Sequence, residues 1–133
     1  MTTQFSVAVR NARLDAIEST VGTSAILKIR SGAPPTDCAA ADAGTVLATL
    51  PLPLDWLAAA SSGTKGLIGT WQDTSADASG TAGHFRIYDS GGSTCHWQGT
   101  ASTSGADMIL DNATLTVTLP FAVTSLILTE GNA

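Results

Sequence analysis

Charge is what this sequence has least of. Only 13% of its 133 residues are Asp, Glu, Lys or Arg, where an ordinary globular domain carries about 25%. The six Lys and Arg stand singly against eleven Asp and Glu, for a net charge of −5. A nucleic-acid binder needs a basic face to displace counterions from phosphates, so no nucleic-acid partner is expected. Long apolar runs are missing too. None approaches the roughly 20 residues of a membrane helix, and no membrane partner is expected either. The opening Met1-Thr2-Thr3-Gln4-Phe5 lacks the basic and then apolar profile of a secretory signal, and Arg10 and Arg13 come too early for one. The two cysteines, Cys38 and Cys95, are too few for a disulfide scaffold and have no CxxC spacing. In a reducing compartment they are expected as free thiols.

Ser, Thr, Ala and Gly fill the gaps between apolar residues, and the length suits one domain over residues 1–133. One segment, about 6–21, has helical period. Leu14, Ile17 and Val21 recur at three and four, with Arg10, Arg13 and Glu18 turned away. Ser6 suits the N-cap and Gly22 the C-terminal stop. From about residue 25 to 129 the period becomes two. Strands are expected at 26–30, 45–50, 66–72, 83–89, 94–100, 108–110, 115–119 and 122–129, with 33–37 a loop. Pro51 and Pro53 restrict the segment after the second strand to an edge or extended conformation, and Asp55 could cap one helical turn over 55–60. Short strands at about ten-residue spacing, separated by Gly-rich turns, predict an all-β fold: an antiparallel β-sandwich or jelly roll with one N-terminal amphipathic helix.

The most informative local feature is a hairpin of 84–89 with 94–99. With Asp89 opposite Cys95, Ile87 faces Trp97, and Phe85, Ile87, Cys95 and Trp97 form one apolar face. A slip of one residue would mix the faces, so the pattern sets the register. The opposite face then carries His84, Arg86, Tyr88, His96 and Gln98. That face is a candidate protein interface, since Tyr and Arg are enriched where proteins meet, or else the solvated side of a sheet. No Ser, Cys or carboxylate is forced beside either histidine by spacing. No catalytic residue is assigned and no enzymatic activity is expected.

Cys38, Cys95, His84 and His96 have the chemistry of zinc ligands, but Cys95 and His96 are neighbours on one strand and point to opposite faces. No metal site and no cofactor are expected. Asp73, Asp77, Asp107 and Asp111 lie in Ser/Gly/Ala-rich loops without the alternation of a calcium loop; turn chemistry accounts for them better. The stretch 80–83 lacks the lysine of a phosphate loop. Trp56 and Trp71 would suit a glycan-binding module if exposed, but core packing is the commoner role.

Arg10-Asn11-Ala12-Arg13-Leu14-Asp15-Ala16-Ile17 and Leu27-Lys28-Ile29-Arg30-Ser31-Gly32-Ala33-Pro34-Pro35, with the segments 38–45, 83–90, 94–100, 105–112 and 123–125, resemble a group of small proteins of tailed bacteriophages and prophages. The resemblance spans most of the chain and includes no catalytic signature. Leu119-Pro120-Phe121 departs from it where a polar turn would be expected. The resemblance implies a virion structural protein made in the host bacterial cytoplasm. Within that group it suggests a capsid decoration or cement protein that stabilises the head by non-covalent contacts across capsomers. The implied partners are the major capsid protein or other virion proteins, and further copies in a homo-oligomer, a trimer or dimer. A tail-tip, baseplate or head–tail connector component is the alternative. The low charge agrees with a place inside an assembly, because contacts are depleted of charge. Candidate contact residues are Arg10, Arg13 and Glu18 on the helix and His84, Arg86, Tyr88, His96 and Gln98 on the hairpin.

Overall fold

The computed structural model describes residues 3–130. Its helix, α1 (Val7–Val21), starts where Ser6 accepts a hydrogen bond from Val9 N and stops at Gly22, whose φ of 94° only glycine adopts easily. The rest is β-rich. Chain order gives β1 (Ile26–Ser31), β2 (Val46–Pro51), β3 (Thr64–Gly66), β4 (Trp71–Asp73), β5 (Gly80–Tyr88), β6 (Cys95–Ser102), β7 (Met108–Leu110), β8 (Thr114–Leu115) and β9 (Phe121–Thr129).

These strands form a curled sheet of order β2-β1-β5-β6-β7-β9-β3, with β4 also on β9 and β8 on β5. The curl brings β2 near β4, where Thr49 N donates to Asp73 Oδ2 at 3.3 Å. The concave side is one hydrophobic core. Leu27, Ile29, Leu47, Leu50, Phe85 and Ile87 meet Trp56, Trp71, Met108, Val123 and Leu126 there. The strand pattern predicts antiparallel pairing throughout, but β6 and β7 run parallel, with Ala101 opposite Met108 and Ser102 opposite Ile109. The pairing is only two residues long. Asp107 makes so short a connection possible: its Oδ2 accepts from Thr100 N at 2.9 Å and from Thr100 Oγ1 at 3.0 Å, closing the loop 103–107.

Three other expectations are corrected. Residues 55–60 form no helical turn, because their backbone is used across the chain: Ala58 N donates to Gly66 O and Ile68 N to Trp56 O. The strand expected at 66–72 divides into β3 and β4 around Gly69, at φ 71°. The strand expected at 115–119 ends at Leu115, since Thr118 turns the chain at φ 72° and donates instead to Ala76 O.

The hairpin of β5 and β6 pairs Ile87 with Trp97 as expected, but Tyr88, not Asp89, lies opposite Cys95. His96 is the extra residue of a β-bulge. A bulge rotates the side chains beyond it, so Cys95 leaves the core face and joins Arg86 and Tyr88.

Candidate functional site

The polar side chains concentrate on the convex side of β1, β5 and β6, and that side is covered. Residues 32–45, between β1 and β2, fold back across it. Ser31 N donates to Thr45 O and Thr45 N to Ser31 Oγ, which draws the two ends together as in an Ω-loop. At its root the loop lies so close to β5 that a Cβ on Gly83 would stand 2.1 Å from Gly32 O.

Arg86 is the centre of this arrangement, at 1% exposure. Its guanidinium donates to the carbonyls of Asp37, Cys38 and Ala40 and pairs with Asp42, while its Nε donates to Cys95 Sγ at 3.2 Å. A planar fork of five donors suits such a ring of acceptors. Asp42 also pairs with Arg30 at 3.0 Å and accepts from the Tyr88 hydroxyl at 2.6 Å. Burial works against the charge of Asp42, yet Tyr88, Arg30 and Arg86 outweigh it and hold the carboxyl below its ordinary value. Tyr88, 1% exposed, is pushed up to about 12 by burial and by its bond to Asp42. The remaining anchors are Gln98, whose Nε2 donates to Pro35 O at 2.7 Å, and His84, whose Nδ1 donates to Gly32 O at 2.9 Å. Between loop and hairpin lies a cavity of about 670 Å³, lined by Cys38, Asp42, Arg86, Tyr88, Thr94 and Cys95 among others.

The hairpin candidates are therefore separated. His84, Arg86 and Tyr88, at 0%, 1% and 1% exposure, hold the loop and present no surface; the exposed polar face expected of them is corrected. Gln98 is half-buried in the same role. No sequence signal could have shown this, because alternating polar residues look the same under a loop as under water. His96, rotated by the bulge, is exposed on the other side.

The helix candidates divide too. Arg10 Nη1 donates to Glu130 O at 3.3 Å, and Glu18 pairs with Lys65 at 3.1 Å. Both turn toward the body of the protein, not away from it. Asn11 Oδ1 accepts from Gly63 N and Asp15 Oδ1 from Ala60 N and from Lys65 Nζ. Lys65, which no sequence motif marks, is nearly buried, and its third donor goes to Ala58 O at 2.8 Å. Burial alone would lower its pKa, but Asp15 and Glu18 raise it above the ordinary lysine value. An ammonium held by three acceptors is no nucleophile. Glu18 is raised by burial and by its contact with Asp55.

With Arg10, Asn11, Asp15 and Glu18 bonded to the body of the protein, α1 exposes Val9, Ala12, Arg13, Ala16 and Thr20 on its outer face, with Val7, Ala8 and Ser19 exposed beside it. Arg13 is the one charge on that face; it pairs with Glu130 at 3.0 Å and lies over the Phe5 ring. Arg13 and His96, one candidate from each element, line a shared groove of about 280 Å³ with Ala16, Ile17, Thr20 and Val21.

Trp56 and Trp71 are 0% and 1% exposed, so neither offers a sugar-stacking platform. Cys95 and His96 line different cavities and cannot share an ion. Among the described residues no group of three or more His, Cys, Asp or Glu is placed to hold a metal, and no helix is long and apolar enough to cross a membrane. No family model, no curated protein and no solved structure matches the chain.

Proposed function

We propose that this protein is a structural component of a tailed-phage virion, a decoration or cement protein that binds capsid subunits and joins them non-covalently. The observation that carries the reading is the charge-poor outer face of α1. Besides burying Leu14 and Val21, α1 docks through Arg10, Asn11, Asp15 and Glu18, and it leaves Val9, Ala12 and Ala16 exposed on the outer side. An exposed helix face with a single charge resembles the charge-depleted centre of an interface. The sequence resemblance and the low overall charge support the same role. The contact residues are then Arg13, Ala16, Ile17 and His96, and the partner is a capsid protein, with further copies of this chain completing a dimer or trimer. We further infer that the curled sheet makes a flattened sandwich in which β2-β1-β5-β6 faces β7-β9-β4 across the core.

Co-sedimentation with separated heads and tails from the encoding phage, prepared without their own copy, tests this. Saturable binding to expanded heads in high copy number is expected. Ala16→Arg, a change on the outer helix face, is expected to weaken binding at least tenfold, corresponding to about 1.4 kcal/mol, with the fold unchanged by circular dichroism. Binding to tails alone, or in a few copies at one vertex, would overturn the cement role in favour of a tail or connector component.

A further inference from the structure

Cys38 and Cys95 are 57 residues apart in sequence and meet at one guanidinium. Arg86 Nη2 donates to Cys38 O at 3.0 Å, and Arg86 Nε donates to Cys95 Sγ at 3.2 Å. Both cysteines line the 670 Å³ cavity between loop and hairpin, both are partly exposed, and neither is in a disulfide. Cys95 is close enough to Cys38 to help push its thiol pKa up. The β-bulge is what allows this: in the unbulged register Cys95 would face the core, behind the sheet from Cys38. We propose that Cys38 and Cys95 are an oxidisable pair whose disulfide fastens the 32–45 loop to the β5–β6 hairpin, with a small-molecule disulfide such as oxidised glutathione as the oxidant.

The chemistry balances in two exchanges. One protein thiolate attacks a glutathione sulfur, forms a mixed disulfide and expels one glutathione thiolate. The second protein thiolate then attacks the protein sulfur of that mixed disulfide and expels the other. Two protein thiols and one oxidised glutathione become one protein disulfide and two reduced glutathiones. The Cys38 thiol, pushed up to about 11 by burial and by Cys95, is almost wholly protonated at neutral pH, so the reaction should be slow there and faster in alkali. Oxidation joins a surface loop to a central hairpin.

The test is intact-mass and peptide mapping of the whole chain after incubation with excess oxidised glutathione at pH 8. The expected product is a monomer lighter by two hydrogens, with the Cys38 and Cys95 peptides linked and no glutathione retained. Elastase cleavage at the alanines 39–41 should slow on the order of tenfold once the loop is tied. Cys38→Ser should instead retain one glutathione on Cys95. Wild-type protein that keeps glutathione on either cysteine, forms disulfide-linked dimers, or stays reduced would overturn the proposal. These readouts are independent of whether the protein binds phage heads.

Discussion

Tyr88 is the only tyrosine of the chain, which makes one residue's environment directly measurable. Its hydroxyl donates to Asp42 at 2.6 Å, its ring packs under Lys28 Nζ at 5.0 Å, and burial is the main reason its pKa reaches about 12. Absorbance titration of the folded protein should therefore give a phenolate midpoint near 12, and denatured protein one near the ordinary 10. Because the folded value is the higher, Tyr88 contributes stability that is complete below pH 10 and is lost as pH rises through 12. A midpoint near 10 in the folded protein would mean that the 32–45 loop does not close over the ring. Tyr88→Phe should flatten the alkaline part of the stability profile.

Among the elements, α1 is held by ion pairs and hydrogen bonds as much as by apolar contact, for only Leu14 and Val21 of its side chains are buried. Lys65 is the hinge-pin of that docking, pairing with Asp15 at 2.7 Å and Glu18 at 3.1 Å across 50 residues of sequence in the first case. Both carboxylates keep some contact with water, so losing their partner costs less than it would in a sealed interior. Lys65→Met is expected to destabilise the protein by about 1–2 kcal/mol in denaturant titrations. It should also speed amide exchange within α1 more than in β5. Equal acceleration in both elements would show that helix and sheet open together, contrary to a separately docked helix.

For the molecule as a whole, acid stability follows from carboxylates whose folded pKa lies below the ordinary 3.8. Asp15 is lowered by Lys65 and by the Ala60 amide, Asp89 by the Ser93 amide, and Asp42, against its burial, by Tyr88 and the two arginines. Each contributes stability present above that ordinary value and lost as pH falls through its lower folded value. Glu18, raised by burial and by Asp55, acts in the opposite sense: its contribution is complete below 4.5 and declines as pH rises through its folded value. Stability should thus change little from neutrality down to about pH 4 and fall steeply below it, as followed by circular dichroism. Loss of structure already at pH 5 would place the controlling groups elsewhere.

The features legible in the chain alone were local. Ser6 and Gly22 bound α1 because capping needs only neighbouring backbone groups, the strand at Met108–Leu110 was legible in its apolar residues, and alternation alone set Ile87 against Trp97. Long-range folding decided what lies over each face. Arg86 on an alternating strand has the same pattern whether it meets water or, as here, carbonyls 46 to 49 residues away. Arg10 and Glu18 likewise read as a solvated stripe until Glu130 and the β3 residue Lys65 are brought against them. The bulge at His96 leaves no mark in the apolar pattern, yet it moves Cys95 from the core to the loop cavity. Periodicity records which residues share a side; only the long-range closure of the chain settles whether that side is covered by water, by another segment or by a partner.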